Sequence, residues 1–195
     1  MKVKTHYVIA LEAYKLIKPY LPVTLDERAL KMGACMPDIA PHRRFKAHNI
    51  KIAAKEWNAF VSLVDRKPTT PFWISYAAGI MSHYISDTFC YAHNFKDLSL
   101  REHRSYEVYM NKQAKELTHL IKPQHIFQKW HTLKQEGVEA YIEVENSCYK
   151  KEAARCKTRD EHVALDLYES IVHTGVWMLE AASILYPAFG PSALI

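Results

Sequence analysis

Apolar side chains recur at helical spacing along most of the chain, between short polar or proline-containing stretches. An apolar run that includes Val8 and Ile17 is ended by Pro19, and Pro37 and Pro41 predict a non-helical loop over residues 36–41. The pattern predicts helices over residues 5–18, 25–35, 46–65, 70–91, 100–121, 124–134, 139–156 and 161–185. Because no stretch has a convincing strand pattern, the sequence predicts an all-α fold, a bundle of about seven or eight helices.

The fourth predicted helix is apolar nearly all round. Thr70 and Pro71 form a cap and first-turn pair at its start, and the residues that follow include Trp73, Ile80 and Ile85. A helix that is apolar on every face belongs in the middle of a protein. We therefore expect this helix to be the central element of the bundle.

The composition is that of a globular protein. The 195 residues, 49% hydrophobic and 24% charged, are enough for one core, and no linker or repeat divides them, so we expect a single domain over residues 1–195. The net charge of +5 favours an anionic substrate but falls short of a nucleic-acid-binding signature. The four cysteines contain no CxxC pair, and the sequence has no apolar signal segment and no transmembrane stretch. These features predict a cytoplasmic protein with reduced thiols.

Candidate chemistry begins inside the central helix, at His83 and Asp87. Four residues along a helix is about 40° of net rotation, so both side chains lie on one face, a turn apart, where they could bind one divalent ion. Such a pair taken alone is more often a buried His–Asp hydrogen bond without a metal. The apolar setting favours the metal, because a buried ionisable pair is costly unless it is fully satisfied.

A second pair follows closely. His103 and Glu107 repeat the spacing of a histidine and an acid four residues apart. His93 lies six residues beyond Asp87, about 240° round a continuing helix, so it would serve a second ion near the end of that helix. Two such pairs joined by one more histidine are a much stronger signal for a metal site than either pair alone.

The spacing His83-x3-Asp87-x5-His93, followed by His103-x3-Glu107, resembles the zinc-ligand signature of the zinc-dependent phospholipase C family. That family shares its all-α fold with fungal single-strand-specific nucleases. Further upstream, His6 is similar to the family's N-terminal ligand histidine, Asp38 to its loop aspartate, and His48 to another ligand histidine. The resemblance covers about residues 1–107.

The resemblance implies two or three zinc ions. The implied ligands are His48, His83 and Asp87 for the first ion, His93, His103 and Glu107 for the second, and His6 with a shared Asp87 for the third. Asp38 would be the general base or the residue that orients a metal-activated water. All these donors are nitrogen or oxygen atoms, which suits catalytic zinc better than a structural cysteine site.

The chain differs from the family at two points. The family completes its third ion with the amine and carbonyl of the mature N-terminal residue, well upstream of the histidine, whereas Met1 lies only five residues before His6. The gap from Asp38 to His48 is also shorter than expected, and His42 is an alternative ligand. His48 is favoured because it can open the third predicted helix.

The resemblance implies hydrolysis of a phosphoester, either a phospholipid or a small intracellular phosphoester. A nuclease of the same fold is the enzymatic alternative, although a basic groove with aromatic stacking platforms is not evident. The second alternative is a non-catalytic metal-binding protein with a structural or sensing role. In the last predicted helix, five polar residues form a stripe that we interpret as its solvated face rather than as a second metal site: His162, Asp166, Glu169, His173 and Glu180.

Overall fold

The computed structural model describes residues 1–44, 49–66, 70–95, 98–114 and 121–190. Its helices are α1 (Val3–Ile17), a 3₁₀ turn (Lys18–Tyr20), α2 (Glu27–Ile39), α3 (Pro41–Arg44), α4 (Ile50–Arg66), α5 (Pro71–Thr88), α6 (Tyr91–Asn94), α7 (Leu100–Gln113), α8 (Pro123–Glu136), α9 (Val138–Ala153) and α10 (Arg159–Leu185). No strand occurs among these residues, which confirms the all-α fold. None of the described helices is both long and apolar enough to cross a membrane.

The polar residues that begin the helices act as the sequence suggests. Thr70 accepts a hydrogen bond from the backbone N–H of Trp73 and precedes Pro71, the first residue of α5. Asp26 caps α2 through its carboxylate, and Ser99 and Thr158 open α7 and α10 with complete capping boxes. These caps fix where the helices that carry the candidate site residues begin.

The fourth predicted helix is central, as expected. It corresponds to α5, which packs against α2, α4, α10 and α1. Its second half is buried without interruption from Met81 to Thr88, so His83 and Asp87 both lie in the interior with no solvent-exposed surface. The chain then breaks after Thr88, and the single turn α6 carries His93 in a different direction.

Two glycines allow α2 and α5 to touch backbone to backbone. A Cβ atom on Gly33 would lie 2.0 Å from the carbonyl oxygen of Tyr76, and one on Gly79 would lie 2.2 Å from that of Leu30. Only residues without a side chain fit at such a crossing. The close approach brings the end of α2, with Ala34 and Asp38, against the face of α5 that holds the candidate ligands.

The predicted loop over residues 36–41 is wrong. Helix α2 continues through Pro37 to Ile39, and Asp38 lies in its last turn. Proline removes one backbone N–H from the helix, but Pro37 is itself buried, and α2 is packed along α5. Tertiary packing thus overrides the local signal, and the helix ends at Ile39, with Ala40 as its C-cap before Pro41 opens α3.

The polar stripe of α10 is not a solvated face. Asp166 and His173 have no exposed surface, and Glu180 is buried as well. Each has partners inside the bundle: tyrosine hydroxyls and a backbone N–H for Asp166, Tyr141 for His173, and the indole N–H of Trp130 for Glu180. Three of the five stripe residues thus face buried partners between helices, while His162 and Glu169 are partly exposed, so the interpretation of the stripe as a solvated face is wrong.

Candidate metal centre

The first group of candidate ligands joins α1 to α5. The ligand atoms of His6, His83 and Asp87 all lie within 4.8 Å of one another, and all three side chains are buried. Asp87 places Oδ2 3.3 Å from Nε2 of His83 and Oδ1 3.5 Å from Nε2 of His6. The two imidazole rings stack with their centroids 3.6 Å apart. Helix geometry aligns the pair on α5, and the packing of α1 against α5 adds His6.

Hydrogen bonds orient both rings toward this centre. Nδ1 of His83 lies 2.9 Å from the carbonyl oxygen of Ala34, so it carries the proton and leaves the Nε2 lone pair facing Asp87. The Ser86 hydroxyl donates its one proton to the His83 carbonyl and therefore accepts from Nδ1–H of His6, 2.8 Å away. Metal-binding histidines are commonly held in this way, by a hydrogen bond from the nitrogen that does not bind the metal.

Nε2 of His6 tests whether a cation fits here. It is buried and has no hydrogen-bond partner among the described residues. Burial, and after it the neighbouring His83 ring, lowers the pKa of His6 well below its usual value, so the ring is neutral. A buried nitrogen lone pair without a partner costs free energy that a bound cation would recover. The donor set, two imidazoles and a carboxylate, suits zinc.

Asp38 lies at the open side of the first group. Its two carboxylate oxygens are each 3.8 Å from a histidine nitrogen, Oδ1 from Nε2 of His83 and Oδ2 from Nε2 of His6. Its side chain is 24% exposed, whereas those of both histidines are fully covered. Asp38 is therefore the member of this neighbourhood that solvent and a ligand can reach.

The second group joins α6 to α7. The ligand atoms of His93, His103 and Glu107 lie within 4.8 Å of one another. Nε2 of His103 is 2.9 Å from Oε1 of Glu107, and Nε2 of His93 is 3.8 Å from the same oxygen. His93 and His103 are partly exposed, so this group is more open than the first.

Asp87 and the amino group of Met1 lie where the two groups meet. Oδ1 of Asp87 is 3.1 Å from Nε2 of His93, so one carboxylate faces both groups. The amino nitrogen of Met1 is 3.0 Å from this oxygen, 2.8 Å from Nε2 of His93 and 3.2 Å from Oε1 of Glu107. Burial alone would lower the pKa of this amine, but the carboxylates of Asp87 and Glu107 raise it to about 11. The junction thus already accommodates a positive charge among candidate ligand atoms.

Six of the seven predicted ligands fall into these two groups, and Asp38 lies beside the first. The remaining ligand, His48, lies outside the described residues, so its role stays a prediction. The alternative, His42, is exposed on α3 and belongs to neither group. The sequence analysis did not identify the Ala34 carbonyl and the Ser86 hydroxyl as hydrogen-bond acceptors of the candidate ligands. Ser86 could have been found, because it lies three residues after His83 on the same helix, whereas the sequence gives no indication of a backbone carbonyl on α2.

The fold is all-α, and two groups of imidazole and carboxylate donors meet at a shared aspartate. Together these features define a helical protein whose candidate ligands are of the kind that bind zinc. A family model described as zinc dependent phospholipase C matches residues 5–156. The chain belongs to this family, and the match confirms the resemblance and extends it well past residue 107. Searches of curated proteins and of solved structures returned no match.

Proposed function

We propose that this chain is a zinc-dependent phosphoester hydrolase of the phospholipase C type. The observation that carries the proposal is the convergence of two donor groups on Asp87, each with two imidazoles and at least one carboxylate. Paired ions about 3.5–4 Å apart are typical of enzymes that cleave phosphoesters. Family membership supports the same reaction class.

In this proposal one ion is held by His83 and Asp87 of the first group together with His48, and another by His93, His103 and Glu107 of the second group. A third ion would take His6 of the first group and share Asp87. Bound zinc would lower the pKa of a water molecule to about 7 and polarise the phosphoryl oxygens of the substrate.

The chain's own residues orient the reactants. Asp38 is the general base, because its carboxylate is partly exposed and lies beside the first group, where it can take a proton from an attacking water. The hydrogen bonds from His6 to Ser86 and from His83 to Ala34 keep the imidazole lone pairs directed inward. The net charge of +5 favours approach of an anionic phosphoester.

The substrate is a phosphodiester or phosphomonoester, either a phospholipid or a small phosphoester of the cell interior. All four cysteines are free thiols, which supports a reducing compartment and a cytoplasmic location. Residues 1–195 would act as one domain.

The first test is metal content by elemental mass spectrometry on protein prepared without chelators. We expect at least one zinc ion per donor group in the wild type, a sharp fall in Asp87→Ala, and no change in the control Asp160→Ala, whose side chain is exposed on α10. A panel of phosphatidylcholine micelles, bis(p-nitrophenyl) phosphate and single-stranded DNA then separates phospholipase, general phosphodiesterase and nuclease activity. Zinc binding without hydrolysis of any of them would indicate a structural or sensing protein, and absence of zinc would refute the metal centre.

A further inference from the structure

We propose that Asp166 is a positioning residue for the second donor group, acting through the segments that carry His93 and Glu107. The inference rests on the proposed metal centre. Asp166 belongs to α10, in the part of the chain beyond the family match.

The Asp166 carboxylate accepts three hydrogen bonds from three different segments. Oδ2 accepts from the backbone N–H of Tyr91, at 2.8 Å, and from the hydroxyl of Tyr106, at 2.7 Å. Oδ1 accepts from the hydroxyl of Tyr149, at 2.6 Å. The side chain is completely buried, so water does not compete for these donors. One carboxylate therefore ties α6, α7 and α9 to α10.

Two of these three bonds lead directly to the second group. Tyr91 is the first residue of α6, a single turn whose third residue is His93. Tyr106 immediately precedes Glu107 on α7. A four-residue helix has almost no internal hydrogen bonding to hold its direction, so the orientation of His93 depends on what anchors the ends of α6. Asp166 anchors its start. Asn94, its last residue, donates to the carbonyl of Thr88, which also accepts from Asn146.

The carboxylate form is what allows all three donors to be satisfied. Burial raises the pKa of Asp166 to about 6 although hydrogen bonds from Tyr149, Tyr91, Tyr106 and the Cys90 thiol lower it, so at pH 7 the group is mainly ionised. An asparagine at this position has one acceptor oxygen and one NH₂ group. Both bonds that lead to the second group end on Oδ2, so the amide oxygen of an asparagine can take its place while the NH₂ group faces the Tyr149 hydroxyl, which can rotate to accept. Because a neutral amide oxygen accepts more weakly than a carboxylate, Asp166→Asn weakens the bonds to α6 and α7 while the shape of the side chain is kept.

A purely structural role for Asp166 predicts a different result. If the residue only stabilised the bundle, its loss would lower the free energy of unfolding and weaken binding of both ions together. A positioning role predicts selective weakening of the second ion. Glu180 is the matched control: it is another buried carboxylate of α10, but it accepts from Trp130 and Lys134, away from both groups.

The experiment is a zinc titration of the metal-free full chain against a chromophoric chelator, at a temperature where every variant is folded. His103→Ala assigns the step that belongs to the second group. We expect about 10-fold weaker binding at that step in Asp166→Asn, with the other step unchanged, and wild-type binding at both steps in Glu180→Gln. Tyr106→Phe, which removes a single donor, should give the same selective loss to a smaller extent and serves if Asp166→Asn does not fold. Visible spectra of the cobalt(II) form should change only in the second component.

Equal weakening of both steps in Asp166→Asn, unchanged binding, or the same selective loss in Glu180→Gln would overturn the positioning role. Those outcomes leave the proposed function intact, because the wild type still binds two ions. Absence of ion binding by the wild type would overturn both proposals.

Discussion

Replacing Gly79 with alanine should separate α2 from α5 and weaken the metal centre from a distance. The added Cβ would lie 2.2 Å from the carbonyl oxygen of Leu30, 2.7 Å from the backbone nitrogen of Ala34 and 2.9 Å from the Cα of Gly33. All three are backbone atoms, so no side-chain rotation relieves the contacts. Favourable contact distances are about 3.5–4 Å, so the two helices must move apart by roughly 1 Å.

The expected cost is large for a single methyl group. Overpacking typically costs about 1–3 kcal/mol when side chains can adjust, and this site lies at or above the upper end because backbone must move. Alanine gains back about 1 kcal/mol of helix propensity over glycine. A net loss of about 2–3 kcal/mol would lower the melting temperature by about 4–12 °C for a chain of this size. The same movement lengthens the bond from His83 to Ala34, so zinc affinity should fall about 10-fold or more.

Urea unfolding and thermal unfolding of the metal-free protein measure the first effect, and zinc titration measures the second. Gly175→Ala is the matched control within a helix, since its Cβ meets only the flexible side chain of Ile126, and Gly190→Ala meets nothing within 4 Å. We expect Gly190→Ala to lie within about 0.5 kcal/mol of the wild type. The reasoning would be refuted if Gly79→Ala were as stable as Gly175→Ala and bound zinc normally.

Three further outcomes are expected. Ser86→Ala removes the acceptor for Nδ1–H of His6 and should weaken zinc binding at the first group about 10–100-fold in a calorimetric titration, with little change at the second. Asp38→Asn should keep its zinc by mass spectrometry yet lose about 10²–10⁴-fold in kcat; loss of the metal as well would contradict a role as base. The pKa of Asp166 rises on folding from about 3.8 to about 6, so the folded state binds this proton more tightly. The unfolding free energy of the wild type minus that of Asp166→Asn should therefore fall by about 2 kcal/mol between pH 4 and pH 7 in metal-free protein, whereas a flat difference would contradict the raised pKa. The facing groups, Tyr106, Tyr149 and Cys90, have raised pKa values and stay protonated over that range.

The candidate donor groups are predictable from the sequence where helix periodicity alone determines their geometry. His83 with Asp87, and His103 with Glu107, are each four residues apart on one helix, so their proximity follows from the helix itself. The meeting of the two pairs does not. It depends on a break after Thr88 that redirects His93, and on a backbone contact between α2 and α5 that two isolated glycines permit. The resemblance to a family supplied that pairing, since periodicity cannot.

The errors have a common physical cause. The polar stripe of α10 has the spacing of a solvated face, and only the neighbouring helices determine whether water or buried donors meet it. Tyr141 and Tyr149 supply such donors from α9, but tyrosine occurs both in cores and on surfaces, so its presence in a sequence does not indicate which. Pro37 was predicted to end α2 because its own N–H is missing, yet packing against α5 is worth more than one backbone hydrogen bond.

The 27-residue helix α10, about 40 Å long, has a consequence for how the polypeptide can be divided. It packs against α1, α5 and α8, and its Trp177 meets Trp57 of α4 edge to face with the ring centroids 4.8 Å apart. All of it follows residue 156, where the family match ends. A polypeptide terminated there would keep every member of both donor groups but would leave the apolar faces of three helices bare to water. Such a fragment is expected to aggregate rather than to bind zinc. Residues 1–156 contain all the members of the donor groups, but α10 is needed to cover the hydrophobic core.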